Sequence, residues 1–232
     1  MKVMAWGLLL LSILCLIWQV HFFNKGKNER VLMAFGDSLT YGYGDREEEG
    51  YVGRLEDKVN STNSKENIHV WNYGVYGQET DGVLKQLDDL KIRTKLKEAE
   101  SMIVFIGTND LLNSNGGDLS PLHVNNIRKE KPVYIQHLHQ ILSILRKENK
   151  QAPILVLGLY NPYPANHSIE KQIDDWNHSI LAETNKHTKM KYVPTNDCFK
   201  HIEKSKYFSD SLHPNKKGYD LITKKILEVQ RF

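Results

Sequence analysis

Short apolar runs alternate with amphipathic stretches along most of the chain. Val31-Leu32-Met33-Ala34-Phe35 closes at Gly36, Ile68-His69-Val70-Trp71 runs into Asn72-Tyr73-Gly74, and Met102-Ile103-Val104-Phe105-Ile106 stops at Gly107. Ile154-Leu155-Val156-Leu157 and a shorter run over 190–193 complete the series. Apolar runs of this length, bounded by glycine or polar residues, predict strands buried on both faces. Between them, apolar positions recur at three and four residues. Val52, Leu55 and Val59 predict a helix over 50–59. Val83, Leu84, Leu87, Leu90 and Leu96 predict one over 80–96, and Ile135, Leu138, Ile141, Leu142 and Leu145 one over 133–149. Residues 169–187 read as helical, and Leu221, Ile222, Ile226 and Leu227 mark a closing helix over 218–229. This alternation implies an α/β fold: a parallel sheet of about five strands with helices on both faces, and functional groups gathered beyond the carboxyl ends of the strands. The polar, glycine-containing segment 113–131 breaks the rhythm and reads as a loop or short-helix insertion near the site. No repeat or low-complexity tract is present.

The amino-terminal pattern differs. Residues 3–23 contain no Asp, Glu, Lys or Arg. As a helix they would extend roughly 30 Å, the thickness of the hydrocarbon core. Lys2 precedes the run, and Trp6, Trp18, Phe22 and Phe23 lie near its ends, where aromatic side chains favour the membrane interface. The chain therefore divides into a signal-anchor helix over 1–24, a polar linker over 25–30 and a domain over 31–232 large enough for a sizeable core. The rival reading is a cleaved signal peptide and a secreted domain. Against it, Val20-His21-Phe22 is too bulky for a small-x-small cleavage site, and Ser12-Ile13-Leu14 lacks the small residue that precedes a lipoprotein cysteine. Lys25, Lys27 and Arg30 on the far side leave orientation less settled than insertion.

Charge and cysteine count remove several function classes. The formal net charge is +3, and Lys58, Lys65, Lys85 and Lys91 are dispersed, so no nucleic-acid partner is expected. Two cysteines, Cys15 and Cys198, exclude a disulfide framework and a cysteine-based zinc site. Of ten histidines, His137 and His139 lie two apart, a poor spacing for one helical metal face, so neither metal nor cofactor is expected.

Three strand ends carry glycine with small polar residues: Gly36-Asp37-Ser38-Leu39-Thr40, Asn72-Tyr73-Gly74-Val75-Tyr76-Gly77 and Gly107-Thr108-Asn109-Asp110. A fourth group, Asp210-Ser211-Leu212-His213-Pro214, lies just before the last helix. A hydroxyl nucleophile needs a base, and the base needs a partner that fixes its tautomer. Ser38, His213 and Asp210 can fill those roles, and Asp210 is near enough in sequence for local geometry to bring its carboxylate to the imidazole. An oxyanion formed on attack needs waiting donors, which a close backbone N–H at a glycine and the Asn109 side-chain amide can supply. Each residue also has a plainer reading. Ser38 can cap a helix, Asp37 can bond the amides of its own turn, and Asn109 can be a turn residue. Gly74 competes with Gly77 for the donor role. Tyr160-Asn161-Pro162-Tyr163-Pro164 is equally an acyl-pocket wall and a rigid proline turn.

Taken in order, Gly-Asp-Ser-Leu at 36–39, Gly77 in its Gly-x-x-Gly turn, Gly-Thr-Asn-Asp at 107–110 and Asp-x-x-His-Pro at 210–214 resemble the four blocks of the SGNH (GDSL-type) hydrolases, over about residues 31–230. The run into the last helix, His213-Pro214-Asn215 then Gly218-Tyr219, also matches. The Gly-x-Ser-x-Gly elbow of ordinary lipases is absent. The resemblance implies a flavodoxin-like three-layer α/β/α sandwich and carboxylic ester hydrolysis through an acyl-enzyme. It makes Ser38 the nucleophile, His213 the base and Asp210 its orienter. The Ser38 N–H, the Gly77 N–H and the Asn109 amide would form the oxyanion hole. The expected substrate is a small-molecule or lipid ester, such as a lysophospholipid or a short acyl ester, met at the outer face of a membrane. Two alternatives stand beside hydrolysis: acyl transfer or deacetylation on cell-envelope glycans, and a non-catalytic glycan- or lipid-binding module of the same fold.

Overall fold

The computed structural model describes residues 30–62, 67–163 and 165–232. The apolar runs form five strands: β1 (Arg30–Gly36), β2 (Ile68–Gly74), β3 (Ser101–Phe105), β4 (Ile154–Leu157) and β5 (Met190–Val193). They pair in parallel in the order β2-β1-β3-β4-β5. This is the flavodoxin-like order, in which the connections change direction between β1 and β3 and open a crevice beyond their carboxyl ends.

Helices cover both faces. They are α1 (Ser38–Tyr41), α2 (Gly50–Thr62), α3 (Thr80–Leu87), α4 (Leu90–Leu96), α5 (Thr108–Ser114), α6 (Val124–Glu148), α7 (His167–Thr184), α8 (Lys204–Tyr207) and α9 (Lys216–Val229). Side chains alternate across the sheet, so each strand feeds two cores. Met33, Phe35 and Val104 face Val83, Leu138 and Trp176 of α3, α6 and α7. Leu32, Ala34 and Ile103 face Leu55, Tyr219 and Ile222 of α2 and α9. The result is three layers with β1 and β3 at the centre.

Several boundaries differ from the periodicity, and three of them have a plain local cause. The helix expected over 80–96 is two helices, because Asp89 leaves the helical path and its side chain accepts from the Lys91 N–H, capping α4. Leu90, expected on the buried face, is 76% exposed. α6 begins at Val124 rather than 133 and runs through Pro132. Its first turns bury only Ile127, too little apolar signal to mark a helix, so the helix takes over the end of the segment read as a loop. α9 starts at Lys216, two residues early, because the Asn215 side chain accepts from the Lys217 and Gly218 N–H groups.

β1 begins at Arg30, one residue before the expected domain start. The membrane helix expected over 1–24 and most of the linker after it lie outside the described residues. Among the described residues no helix is long and apolar enough to cross a membrane.

Candidate active site

The strand ends at the β1/β3 crevice build the site. A glycine is required at position 36, since a side chain there would sit 2.1 Å from Thr40 Oγ1 and 2.3 Å from the Phe105 carbonyl oxygen. The buried Asp37 side chain accepts from the Leu39 N–H at 2.9 Å and caps α1. That cap turns the chain so that Ser38 opens the helix, where backbone N–H groups have no intrahelical acceptor. Burial pushes the Asp37 carboxyl up to about 7, and its Oδ2 has no hydrogen-bond partner among the described residues.

Ser38 Oγ lies 3.0 Å from His213 Nε2, and His213 Nδ1 lies 2.8 Å from Asp210 Oδ2. The other Asp210 oxygen accepts from the Leu212 and His213 N–H groups, both at 2.7 Å. Burial raises the Asp210 carboxyl, but those two amides and the His213 ring together hold it below the ordinary carboxylate value. It is ionised beside the imidazole. The Asp210–His213 turn is itself pinned. Ser209 donates its N–H to the His213 carbonyl at 2.9 Å, and the Tyr160 hydroxyl donates to the Leu212 carbonyl at 2.8 Å. Gly44, with φ +94°, passes so close that a side chain would meet His213 Cβ at 2.8 Å and Ser209 Oγ at 2.5 Å.

Gly77 and Asn109 meet through Gln78. Asn109 donates from Nδ2 to the Gln78 carbonyl at 2.9 Å, and Gln78 Nε2 donates to the Gly36 carbonyl at 3.1 Å, two residues before Ser38. Asn109 keeps a second amide hydrogen. Gly77 has φ +73° with open space around its α-carbon, and its N–H has no acceptor among the described residues. Gly74, the competing donor, gives its N–H to Asn72 Oδ1 at 2.8 Å and packs on the Tyr41 backbone, so it serves the packing of α1. Asp110 clasps the same turn by accepting the N–H and the hydroxyl of Thr80, the first residue of α3. Burial pushes its carboxyl up to about 6.

Two residues next to the imidazole were not singled out in the sequence. The Tyr43 ring lies edge-on to His213 at 4.6 Å, and the Tyr76 ring lies over it at 6.2 Å and 24°. The tyrosines touch each other at 5.0 Å and are 43% and 63% exposed. Tyr76 adjoins the motif glycine Gly77, but Tyr43 lies between Gly42 and Gly44, outside every motif, so nothing in the sequence marked it. The acyl wall considered at 160–164 is not formed by Tyr160. That ring is buried among Phe105, Phe199 and Phe208 and supports the His213 turn; Pro164 lies outside the described residues.

Cys198 forms no disulfide among the described residues, and Cys15 lies outside them. Among the described residues, one group of histidine and acid side chains is close enough to share an ion: His139, Glu183 and His187, none of them part of the Ser38 cluster.

Comparison with known proteins gives the family and the fold. Residues 34–221 match the model of the GDSL-like Lipase/Acylhydrolase family. The protein YpmR of Bacillus subtilis is 33% identical, with 89% of this chain and 83% of YpmR covered. The spore germination lipase LipC of Bacillus licheniformis is 27% identical, over 83% of this chain and 92% of LipC. Among solved structures, the lipase Lip_vut3 from a goat rumen metagenome superposes with a TM-score of 0.77 at 25% identity, covering 86% of this chain and 96% of that one. Axe2, an acetyl-xylooligosaccharide esterase from Geobacillus, shares the fold with a TM-score of 0.69 at 16% identity, over 89% and 96% of the two chains. The chain belongs to the GDSL-like lipase/acylhydrolase family and is a carboxylic ester hydrolase.

Proposed function

We propose that the chain hydrolyses its ester through an acyl-enzyme on Ser38. The observation that carries this reading is the unbroken Ser38–His213–Asp210 chain, 3.0 Å and 2.8 Å long. His213 Nε2 takes the hydroxyl proton as Ser38 Oγ attacks the carbonyl carbon. Negative charge develops on the former carbonyl oxygen, which meets the N–H groups of Ser38 and Gly77 and the free Asn109 amide hydrogen. Collapse expels the alcohol, protonated by His213. Water, deprotonated by the same nitrogen, then attacks the acyl carbon and releases the acid and Ser38. Asp210, ionised throughout, stabilises the imidazolium and holds its tautomer.

The substrate reading is a lipid or short acyl ester, such as a lysophospholipid, met at the outer face of a membrane. Its supports are the exposed Tyr43–Tyr76 rim beside His213, the uncharged segment 3–23, and the lipase activity in the name of LipC. The same rim offers ring faces to a sugar, which keeps deacetylation of a glycan, or acyl transfer to one, as a second reading. The test uses the full chain on esters graded in acyl length and head group, with and without a sugar acceptor. Free acid as the product, with preference for lipid esters, supports the first reading. Acetyl-glycan preference or an acylated sugar product favours the second. Ser38→Ala should lose turnover of every ester while keeping its circular dichroism and melting temperature; near-full turnover in that variant contradicts both.

A further inference from the structure

α6 and α7 bring together a group that the esterase reading does not use. Glu183 lies in the last turn of α7, and His187 follows one turn later, in the lead-in to β5. Their spacing of four puts both side chains on one face. His139 reaches the same point from α6, 44 residues away in sequence. Its Nδ1 lies 2.7 Å from Glu183 Oε1, and His187 Nε2 lies 3.5 Å from that same oxygen. The three ligand atoms are all within 4.8 Å of one another.

The burial pattern is what needs explaining. The Glu183 side chain is only 2% exposed, so its charge has lost most of its water. Lys186 supplies a cation to the other oxygen, with Nζ 2.7 Å from Oε2. Oε1 therefore faces the two imidazoles. His187 Nε2 is buried and has no hydrogen-bond partner among the described residues, although it lies 3.5 Å from a carboxylate oxygen. A buried polar nitrogen without a partner is costly. A cation between the rings would replace the His139–Glu183 hydrogen bond and give His187 Nε2 a partner as well. Two imidazoles with one carboxylate oxygen is the donor set of borderline divalent ions, not of magnesium or calcium, which prefer oxygen. Zinc bonds of about 2.0–2.2 Å place ligand atoms roughly 3–3.5 Å apart, within side-chain rotation of the separations found. His139 is half exposed, which leaves room for a water ligand.

We propose that His139, Glu183 and His187 form a binding site for a zinc-class divalent cation. The ion ties α6 and α7 to the entry of the edge strand β5. In the bound form the His139 Nδ1 lone pair coordinates the ion, and that ring carries its proton on Nε2. The site shares no residue with the Ser38 cluster, so it acts on stability and not on ester turnover.

The test takes the full, untagged chain, stripped with a chelator and titrated with Zn2+, Co2+ and Mg2+. Zn2+ should raise the melting temperature and Mg2+ should not, and Co2+ should develop visible ligand-field absorption that Zn2+ displaces. His139→Ala and His187→Ala should each weaken Zn2+ binding by about tenfold or more, with ester turnover unchanged. Lys186→Ala should tighten binding a few-fold by removing an ammonium from the same carboxylate. Absence of any Zn2+-dependent stabilisation in the stripped wild type overturns the proposal, as does undiminished binding in His187→Ala. If a variant fails to fold, X-ray absorption on the zinc-loaded wild type decides: two imidazole ligands support the site, and fewer overturn it.

Discussion

Two aspartates flank the Ser38–His213 pair in opposite electrostatic settings. Asp210 accepts from two backbone amides and the imidazole, and is held below the ordinary carboxylate range despite partial burial. Asp37 is fully buried, has one amide donor and one oxygen with no partner among the described residues, and is pushed up to about 7. The difference sorts their roles. An ionised Asp210 stabilises a positive imidazole, whereas full charge on Asp37 would oppose an oxyanion forming nearby. Asn109 is the residue whose contribution should be kinetic. Asn109→Ala should lower kcat by roughly 10²–10³-fold, about 2.7–4 kcal/mol of barrier, while the Michaelis constant changes little. Steady-state kinetics with a melting curve checks this. An unchanged kcat with a raised Michaelis constant would make Asn109 a substrate-binding residue, and a large fall in melting temperature would assign its hydrogen bond to Gln78 a structural role. Local chemistry explains what was legible at this scale. Asp210 and His213 are three residues apart, so a single turn delivers one to the other. Tyr43 and Tyr76 reach His213 only through the tertiary fold, and a tyrosine beside a loop glycine carries no such message in sequence.

At the scale of elements, apolar runs located every strand to within two residues at either end, except β2. There the ladder continues through Asn72-Tyr73-Gly74, the residues read as its end. Helix ends were harder, because polar side chains decide them. The Asp89 cap divides one expected helix into α3 and α4, and Asn215 starts α9 early. Periodicity records burial and is blind to a cap. It was equally blind to the anchor of the segment after α1. There Asp45 and Arg54 form a buried ion pair, with side chains 1% and 7% exposed. This pair holds the loop that carries Tyr43 and Gly44 against α2, and the Tyr219 hydroxyl bonds the Tyr43 carbonyl at 2.6 Å. Asp45→Ala should destabilise the protein by about 3 kcal/mol, the lower part of the range for breaking a buried pair, because Glu49 and Asp220 lie 3.6 Å and 3.9 Å from the guanidinium. Urea denaturation measures it, and a loss below about 0.5 kcal/mol, typical of surface sites, would contradict the assigned role.

Over the whole molecule, topology explains why four motifs spread along the chain meet at one place. The order β2-β1-β3-β4-β5 sets the ends of β1, β2 and β3 side by side, and α9 packs against α2 so that the turn before it lies over Ser38. The ordered motifs pointed to that assembly through family resemblance, while strand order and the distances came only with the structure. The His139–Glu183–His187 group shows the converse. Its members lie on α6, in the last turn of α7 and in the turn after it, and no sequence spacing links His139 to the other two. The esterase reading finally requires one covalent event. The direct measurement is mass spectrometry of the full chain after reaction with a fluorophosphonate that mimics the ester and traps the serine nucleophile. A single adduct on the peptide containing Ser38, lost in Ser38→Ala together with ester turnover, is the expected result. An adduct on any other residue, or turnover that survives complete labelling of Ser38, would contradict the account.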